Sequence, residues 1–435
     1  LAEAVGPTFR AREGRFSRVF FGWWVIAAGS GIQALSAAFF SQAYGAYVVL
    51  LREDFGWSKT ALAAASSLRE AEGGLTGPLQ GWLIDRTSVR RVMRAGIVTL
   101  GLGFVFFSQV HSLPMFYLAF LIMSVGGSLC GFLSVTYVAV QWFERRRATA
   151  IGLVSSGFAV GGMAVPLVVL LLERLGWRPT ALISGIVIIV AGLLLTLLIR
   201  DRPEQMGLRP DGAEPVRNAD GTVSRPLIGS PADFTLREAM ATPQFWWIGL
   251  GHAFALFIVS AVNVHVISHL KESLGYSLGV AAAFLFLMTT VQFAGTLTGG
   301  LIGDRFSKRW LATICMIMHA VALLLVSHAT NAGMVVAFAL LHGVAWGWRG
   351  PQMMAIRADY YGRTSFGKIM GVSNMIIILG TISGPIIAGL VYDTTGNYRL
   401  GFDILAMLAA AGSVFFILST RPKPPARLRA GAATA

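Results

Sequence analysis

The sequence predicts an all-α membrane protein, with twelve transmembrane helices arranged as two pseudo-symmetric bundles of six. Three observations carry this. Apolar residues make up 55% of the 435 residues and charged residues 13%, with a mean hydropathy of +0.66; a soluble domain carries nearer a quarter charged. Two stretches nearly repeat one another about half a chain apart. Gly81-Trp-Leu-Ile-Asp85-Arg86-Thr-Ser-Val-Arg90-Arg91 and Gly300-Leu-Ile-Gly-Asp304-Arg305-Phe-Ser-Lys308-Arg309 each close a long apolar run with an acid and a cluster of bases. Repetition at half length implies two related halves. Finally, the Lys and Arg residues fall overwhelmingly in alternate loops.

The elements follow in order from runs of ~20 or more apolar residues. The first, 20–51, follows Arg10, Arg12, Arg15 and Arg18. It far exceeds the ~7–15-residue core of a signal peptide and reads as a retained helix. After Arg52 and Lys59 come 59–84, which ends at the first repeated motif, and 92–110, which follows Arg90 and Arg91. Next are 114–142, then 147–171 behind Arg145 and Arg146, then 179–199 behind Arg174 and Arg178. The stretch 200–244 is rich in Pro, Gly and charge, and splits six helices from six as a linker. Beyond it lie 245–270, closed by Lys271, and 278–302, which runs into the second motif. The last four are 310–328, 332–359, 366–391 behind Arg363, and 400–419 behind Arg399. The organisation is a tail (1–19), a bundle (20–199), the linker (200–244), a bundle (245–419) and a tail (420–435).

On this topology the side away from both termini holds only Arg52, Lys59, Arg174, Arg178, Lys271 and Arg399. Because Lys and Arg are retained on the cytoplasmic face, both termini and the linker are expected there, in a plasma membrane such as the bacterial inner membrane. The net charge of +14 thus follows the membrane and does not point to nucleic acid. Cys130 and Cys315 lie in apolar runs and read as small buried residues.

Two sites place ionisable groups where the bilayer centre makes them costly, about 2.5–3.5 kcal/mol each on insertion scales. Arg349 shares one helical stripe with His342, Trp346 and Met353. It reads either as a fork of donors for a carboxylate or as an Arg held by carbonyls or a neighbouring acid. Arg69, Glu70 and Glu72 occupy the middle of the second helix. Arg69 and Glu72, three apart, can form an ion pair, structural or gating. Equally, Arg69 can hold substrate while Glu70 or Glu72 carries a proton.

His252, Asn263, His265 and His269 lie on the seventh helix. No Glu completes a metalloprotease motif and no acids cluster nearby, so no metal is expected; His265 keeps a claim on substrate or a proton. Gln33, Ala37, Phe40, Tyr44 and Tyr47 share a face of the first helix, and Ser124, Ser128 and Tyr137 lie on the fourth. Such stripes suit a cavity for a small organic molecule or ordinary packing. No nucleophile–base set or Walker motif argues for an enzyme or an ATP-driven pump.

The repeated Asp85 and Asp304 motifs resemble the loop signature of the major facilitator superfamily, over essentially residues 20–420. Phe21-Gly22-Trp23-Trp24, Trp142-Phe143-Glu144-Arg145-Arg146-Arg147-Ala148, the run from Gly152 to Gly162, and Gly384-Pro385 through Tyr398 resemble its monocarboxylate-porter and oxalate/formate-antiporter branch. The resemblance implies a secondary transporter in which two six-helix halves rock around a central site that includes helix 10. It implies that Asp85 meets the start of helix 11, at Phe366-Gly367-Lys368-Ile369, where unpaired N–H groups attract a carboxylate. By pseudo-symmetry Asp304 faces Arg147-Ala148, and Glu144, Arg145 and Arg146 join Arg86, Arg90 and Arg305 in a cytoplasmic gate. The chain departs from the branch at its basic substrate residues. Residues 278–302 hold no Lys or Arg, with Gln292 and Thr296 in place; 20–51 hold none, and helix 11 has only Lys368.

The expected function is therefore transport of a small, monocarboxylate-like organic anion, coupled to protons through Glu70 or Glu72. The substrate would be held by Arg349, Arg69, Tyr44, Gln33, His265 and Trp346. A monomer in the lipid bilayer with no cofactor is expected. The alternatives are a proton-coupled exporter of cationic or drug-like compounds and, in another class, a transporter-like sensor.

Overall fold

The computed structural model describes residues 19–57, 59–213, 233–425 and 427. Twelve long helical runs cross the molecule: α1 (21–55), α2 (Lys59–Arg86), α3 (Val89–Phe107), α4 (Leu113–Trp142), α5 (Arg147–Leu175), α6 (Trp177–Leu195), α7 (Pro243–Ser273), α8 (Leu278–Arg305), α9 (Lys308–Ser327), α10 (Ala332–Tyr361), α11 (Phe366–Thr395) and α12 (Arg399–Leu418). Nine are long and apolar enough to span a membrane by length and composition among the described residues. The other three, α2, α3 and α10, hold the Arg69–Glu72 group, the Arg90–Arg94 cluster, and Arg349 with Arg357, which lower their hydropathy.

Local chemistry moves several ends from the apolar runs. Ser88 caps α3 by accepting from Arg91 N, so the helix starts ahead of the apolar stretch that opens at Val92. α1 runs on to Phe55 and loosens into a π turn over Ala37–Gln42. α4 breaks at Gly131, whose backbone turns extended, and α5 is interrupted at Ala164, two residues before Pro166. The linker is not featureless. It holds 3₁₀ turns at Pro203–Met206 and Pro210–Gly212, and a short helix, Leu236–Met240, with a capping box between Thr235 and Glu238. The Thr235 N–H, first of all, holds the Glu238 carboxyl below its usual range.

Packing repeats with a shift of six helices. α1 packs on α5, α3 on α4 and α3 on α6; correspondingly α7 packs on α11, α9 on α10 and α9 on α12. Across the halves, α2 packs on α11 and, symmetrically, α8 on α5. These crossings are tight because small residues face each other. At α2–α11, Gly81 and Gly367 meet backbone to backbone, and so do Gly77 and Gly371.

Hydrogen bonds between described residues join the two bundles at the end that carries Asp85 and Asp304. We call that end the latch face. There the two halves are closed upon one another.

Candidate functional site

A central cavity of about 400 Å³ lies between the halves. α1 contributes Gln33, Ser36, Phe40 and Ser41; α2 contributes Arg69 and Gln80; α4 contributes Ser124, Ser128 and Phe132. From α5, α7 and α11 come Phe158, Leu256, Asn374 and Thr381. Arg69 is the one Lys or Arg among the described lining residues. The π turn of α1 sits at this wall; such turns recur at functional sites because they re-aim side chains. It sets Ser41 Oγ 3.2 Å from Arg69 Nη1, which donates to it, while the guanidinium lies 5.7 Å from the centre of the Phe40 ring.

Behind this wall Glu72 is 7% exposed. Thr76 Oγ1 donates to one carboxylate oxygen at 2.8 Å and Ser128 Oγ to the other at 2.7 Å. A carboxylate in an apolar bundle needs such donors, and both its oxygens are engaged by hydroxyls of α2 and α4. Ser128 belongs to the cavity wall, so the acid is one hydroxyl from it. Gln33 Oε1 and Ser124 Oγ, also on the wall, are buried without a partner among the described residues. The side chain of Glu70 lies outside the described residues.

The other expected site residues fall off the cavity. Arg349 is 1% exposed and faces the interior of the second bundle, beside a His319–His342 pair with Nδ1 atoms 3.1 Å apart. Its Nε and Nη1 have no hydrogen-bond partner among the described residues. Trp346, on the same helix, packs against the core. Tyr44 Oη donates to Leu62 O at 2.6 Å, tying α1 to α2. His265 Nε2 lies 2.9 Å from Pro385 O and Nδ1 3.4 Å from Tyr398 Oη, joining α7 to α11 and to the residue that precedes α12. The helical stripe on α10 is real, but it faces the bundle interior.

At the latch face, Asp85 accepts from Gly367 N at 3.3 Å and Lys368 N at 3.0 Å. Asp304 accepts from Ala148 N at 2.8 Å and from Thr149 N and Oγ1 at 2.9 and 2.6 Å. Each carboxylate thus caps the N-terminal turn of a helix in the opposite half. The neighbouring charges are arranged differently from a single cluster of Glu144, Arg145, Arg146, Arg86, Arg90 and Arg305. Arg86 lies over Trp82, Arg90 donates its Nε to Thr196 O and its backbone N–H to Asp201, and Arg305 is exposed. Glu144 pairs with Arg363 at 3.7 Å, and Arg145 donates its backbone N–H to Asp211 at 2.7 Å.

Several partners here escaped the sequence reading. Asp359 pairs with Arg147 and, at 2.8 Å, with Lys308. Arg363 also pairs with Glu204 and exchanges hydrogen bonds with Gln141. Two linker acids cap equivalent loops. Asp211 accepts from the N–H groups of residues 144–146, and Asp233 from those of Arg363 and Thr364. No side-chain pattern signals these two acids, because they bond backbone N–H groups of the loops before α5 and α11.

A sequence profile of the Major Facilitator Superfamily matches residues 30–293 and 248–434. Monocarboxylate transporter 12 of Rattus norvegicus is 25% identical over 88% of this chain and 82% of its own length. Monocarboxylate transporter 11 of Homo sapiens is 26% identical over 93% and 84%. Among solved structures, a single-residue variant of the E. coli fucose:proton symporter superposes with a TM-score of 0.65 at 15% identity, covering 92% of this chain and 97% of that one.

Proposed function

The chain belongs to the Major Facilitator Superfamily of membrane transporters, and from that premise we propose that it moves a small organic anion, bound at Arg69, by alternating access. The observation that carries this is the single cation among the described residues on the wall of the central cavity. A guanidinium offers a carboxylate two parallel charge-assisted bonds. Gln33 Oε1 and Ser124 Oγ lie buried on the same wall, and Ser124 can supply a further donor. Phe40, Phe132, Phe158 and Leu256 give an apolar body room beside the charge. The relatives named as monocarboxylate transporters favour the same class.

Glu72 is the proton carrier in this reading. It exchanges a proton through Ser128 when the cavity fills, because the charge of a bound anion changes the acid's affinity for it. Arg349 ranks behind Arg69, since it is buried inside the second bundle and does not line the cavity. The latch face is the cytoplasmic one in this reading, by the excess of Lys and Arg in its loops. The latches hold that side shut, and breaking them opens the site inward.

The test is uptake of labelled mono- and dicarboxylates into proteoliposomes, with and without a pH gradient. Loss of a charge-assisted pair worth about 1.5–3 kcal/mol predicts a roughly 10–100-fold loss for Arg69→Gln, and a smaller one for Arg349→Gln. Equal uptake by wild type and Arg69→Gln rules out the assignment.

A further inference from the structure

A separate cleft of about 390 Å³ opens on the latch face between the start of α3 and the segment after α6. Arg90, Arg91, Arg94 and Arg200 line it against one acid, Asp201. That acid accepts from Arg90 N at 3.0 Å. Arg90 Nε donates to Thr196 O at 2.9 Å and Arg94 Nε to Thr196 Oγ1 at 3.0 Å, so both side chains are pinned along their Nε edges. Their Nη atoms make no hydrogen bond to a described residue.

The fold does not demand this surplus. The corresponding turn of the second half carries Arg309, Trp310 and Thr313, and its Lys308 is paired with Asp359. Nor does the central cavity need it, since the cleft shares no residue with it. Arg200 Nη1 already donates to Leu197 O at 2.7 Å and Ile199 O at 3.0 Å, and Arg91 is exposed. Four guanidinium charges lining one cleft against one acid still repel one another unless an anion joins them, and the forks of Arg90 and Arg94 match phosphate oxygens. The cleft lies just ahead of the apolar stretch of α3 that opens at Val92; basic pockets where transmembrane helices reach the membrane surface take phosphate groups.

We propose that this cleft binds a phosphate group, supplied by the headgroup of an anionic phospholipid or by free phosphate. Arg94 and Arg90 present the forks, and Arg91 and Arg200 close the charge around them.

The full chain, purified in detergent, is titrated with phosphatidylglycerol or phosphatidylcholine. Bound lipid is counted by native mass spectrometry, and unfolding is followed by heating. Wild type is expected to retain phosphatidylglycerol over phosphatidylcholine, and each arginine lost to weaken it about fivefold. Arg91→Gln is the main variant, because its side chain holds no described part of the fold; Arg94→Lys, which keeps the charge without the fork, should restore only part of what Arg94→Gln loses. If millimolar inorganic phosphate displaces the lipid, and alone raises the unfolding temperature of wild type but not of Arg91→Gln, the ion is the source. If it does neither while phosphatidylglycerol binding depends on the arginines, the headgroup is. Equal retention of both lipids by wild type and variants, with no response to phosphate, overturns the proposal.

Discussion

Gly81→Ala should spring the latch face open. A Cβ built on Gly81 falls 2.5 Å from the Gly367 carbonyl carbon, and closer still to its oxygen. Ordinary contact between carbons needs about 3.5 Å, so α2 and α11 must part by about 1 Å. Backbone opposes backbone here, and no side chain can swing aside. The same displacement stretches the Asp85 bonds to Gly367 N and Lys368 N, now 3.3 and 3.0 Å, beyond hydrogen-bonding range. Overpacking and the lost charged bonds together cost the closed state about 3 kcal/mol, roughly a hundredfold in its ratio to the open state. The readout is the distance between spin labels at the exposed Thr87 and Arg305, one in each half, with Cys130 and Cys315 replaced by Ser. Gly350→Ala is the control, since a Cβ there meets nothing within 4 Å. A Gly81→Ala distance distribution that coincides with wild type and Gly350→Ala would refute the argument.

Asp85→Asn should shift the same distance by less. The amide presents one oxygen to two N–H groups, leaving one unmatched at about 1–3 kcal/mol. Asp304→Asn should cost more, because Asp304 also accepts from Thr149 Oγ1; similar shifts in both would contradict the hydrogen-bond account. Glu72→Gln should leave anion binding within a factor of a few but remove the response of uptake to a pH gradient; an unchanged response takes the proton role from Glu72. Asp233→Ala frees the N–H groups of Arg363 and Thr364 and should speed hydrogen exchange in the loop before α11, leaving the loop before α5 to Asp211. Equal exchange in wild type and variant would show that the linker does not hold that loop.

The helices were legible because the bilayer demands long apolar runs, and the latch partners because the Asp85 and Asp304 motifs resemble a superfamily signature that implies a carboxylate at the start of helix 11 and, by pseudo-symmetry, of helix 5. What was hidden follows from the same solvent. Lipid-facing and interior faces are both apolar, as Leu75 and Phe286 show at 73% exposure, so a helical stripe does not announce which neighbour it meets. The α10 stripe of His342, Trp346 and Arg349 was therefore correct as a face and faced the bundle interior. Arg69 and Gln33 reached the cavity because they sit where α1 and α2 converge with α11. Asp211 and Asp233 act through backbone N–H groups, which leave no side-chain pattern to read. The π turn of α1 has no compositional mark either.

Asp85 belongs to one half and caps a helix of the other, and Asp304 returns the same contact in the opposite sense. Neither half can satisfy its own latch. In the terms used for oligomers, this is an isologous interface, the kind that joins two copies of one subunit about a twofold axis. The two halves thus meet as two subunits of a dimer would, within one polypeptide. The two halves differ at the latch face. One half gathers Arg90, Arg91 and Arg94, and the other has Arg309, Trp310 and Thr313 at the same positions.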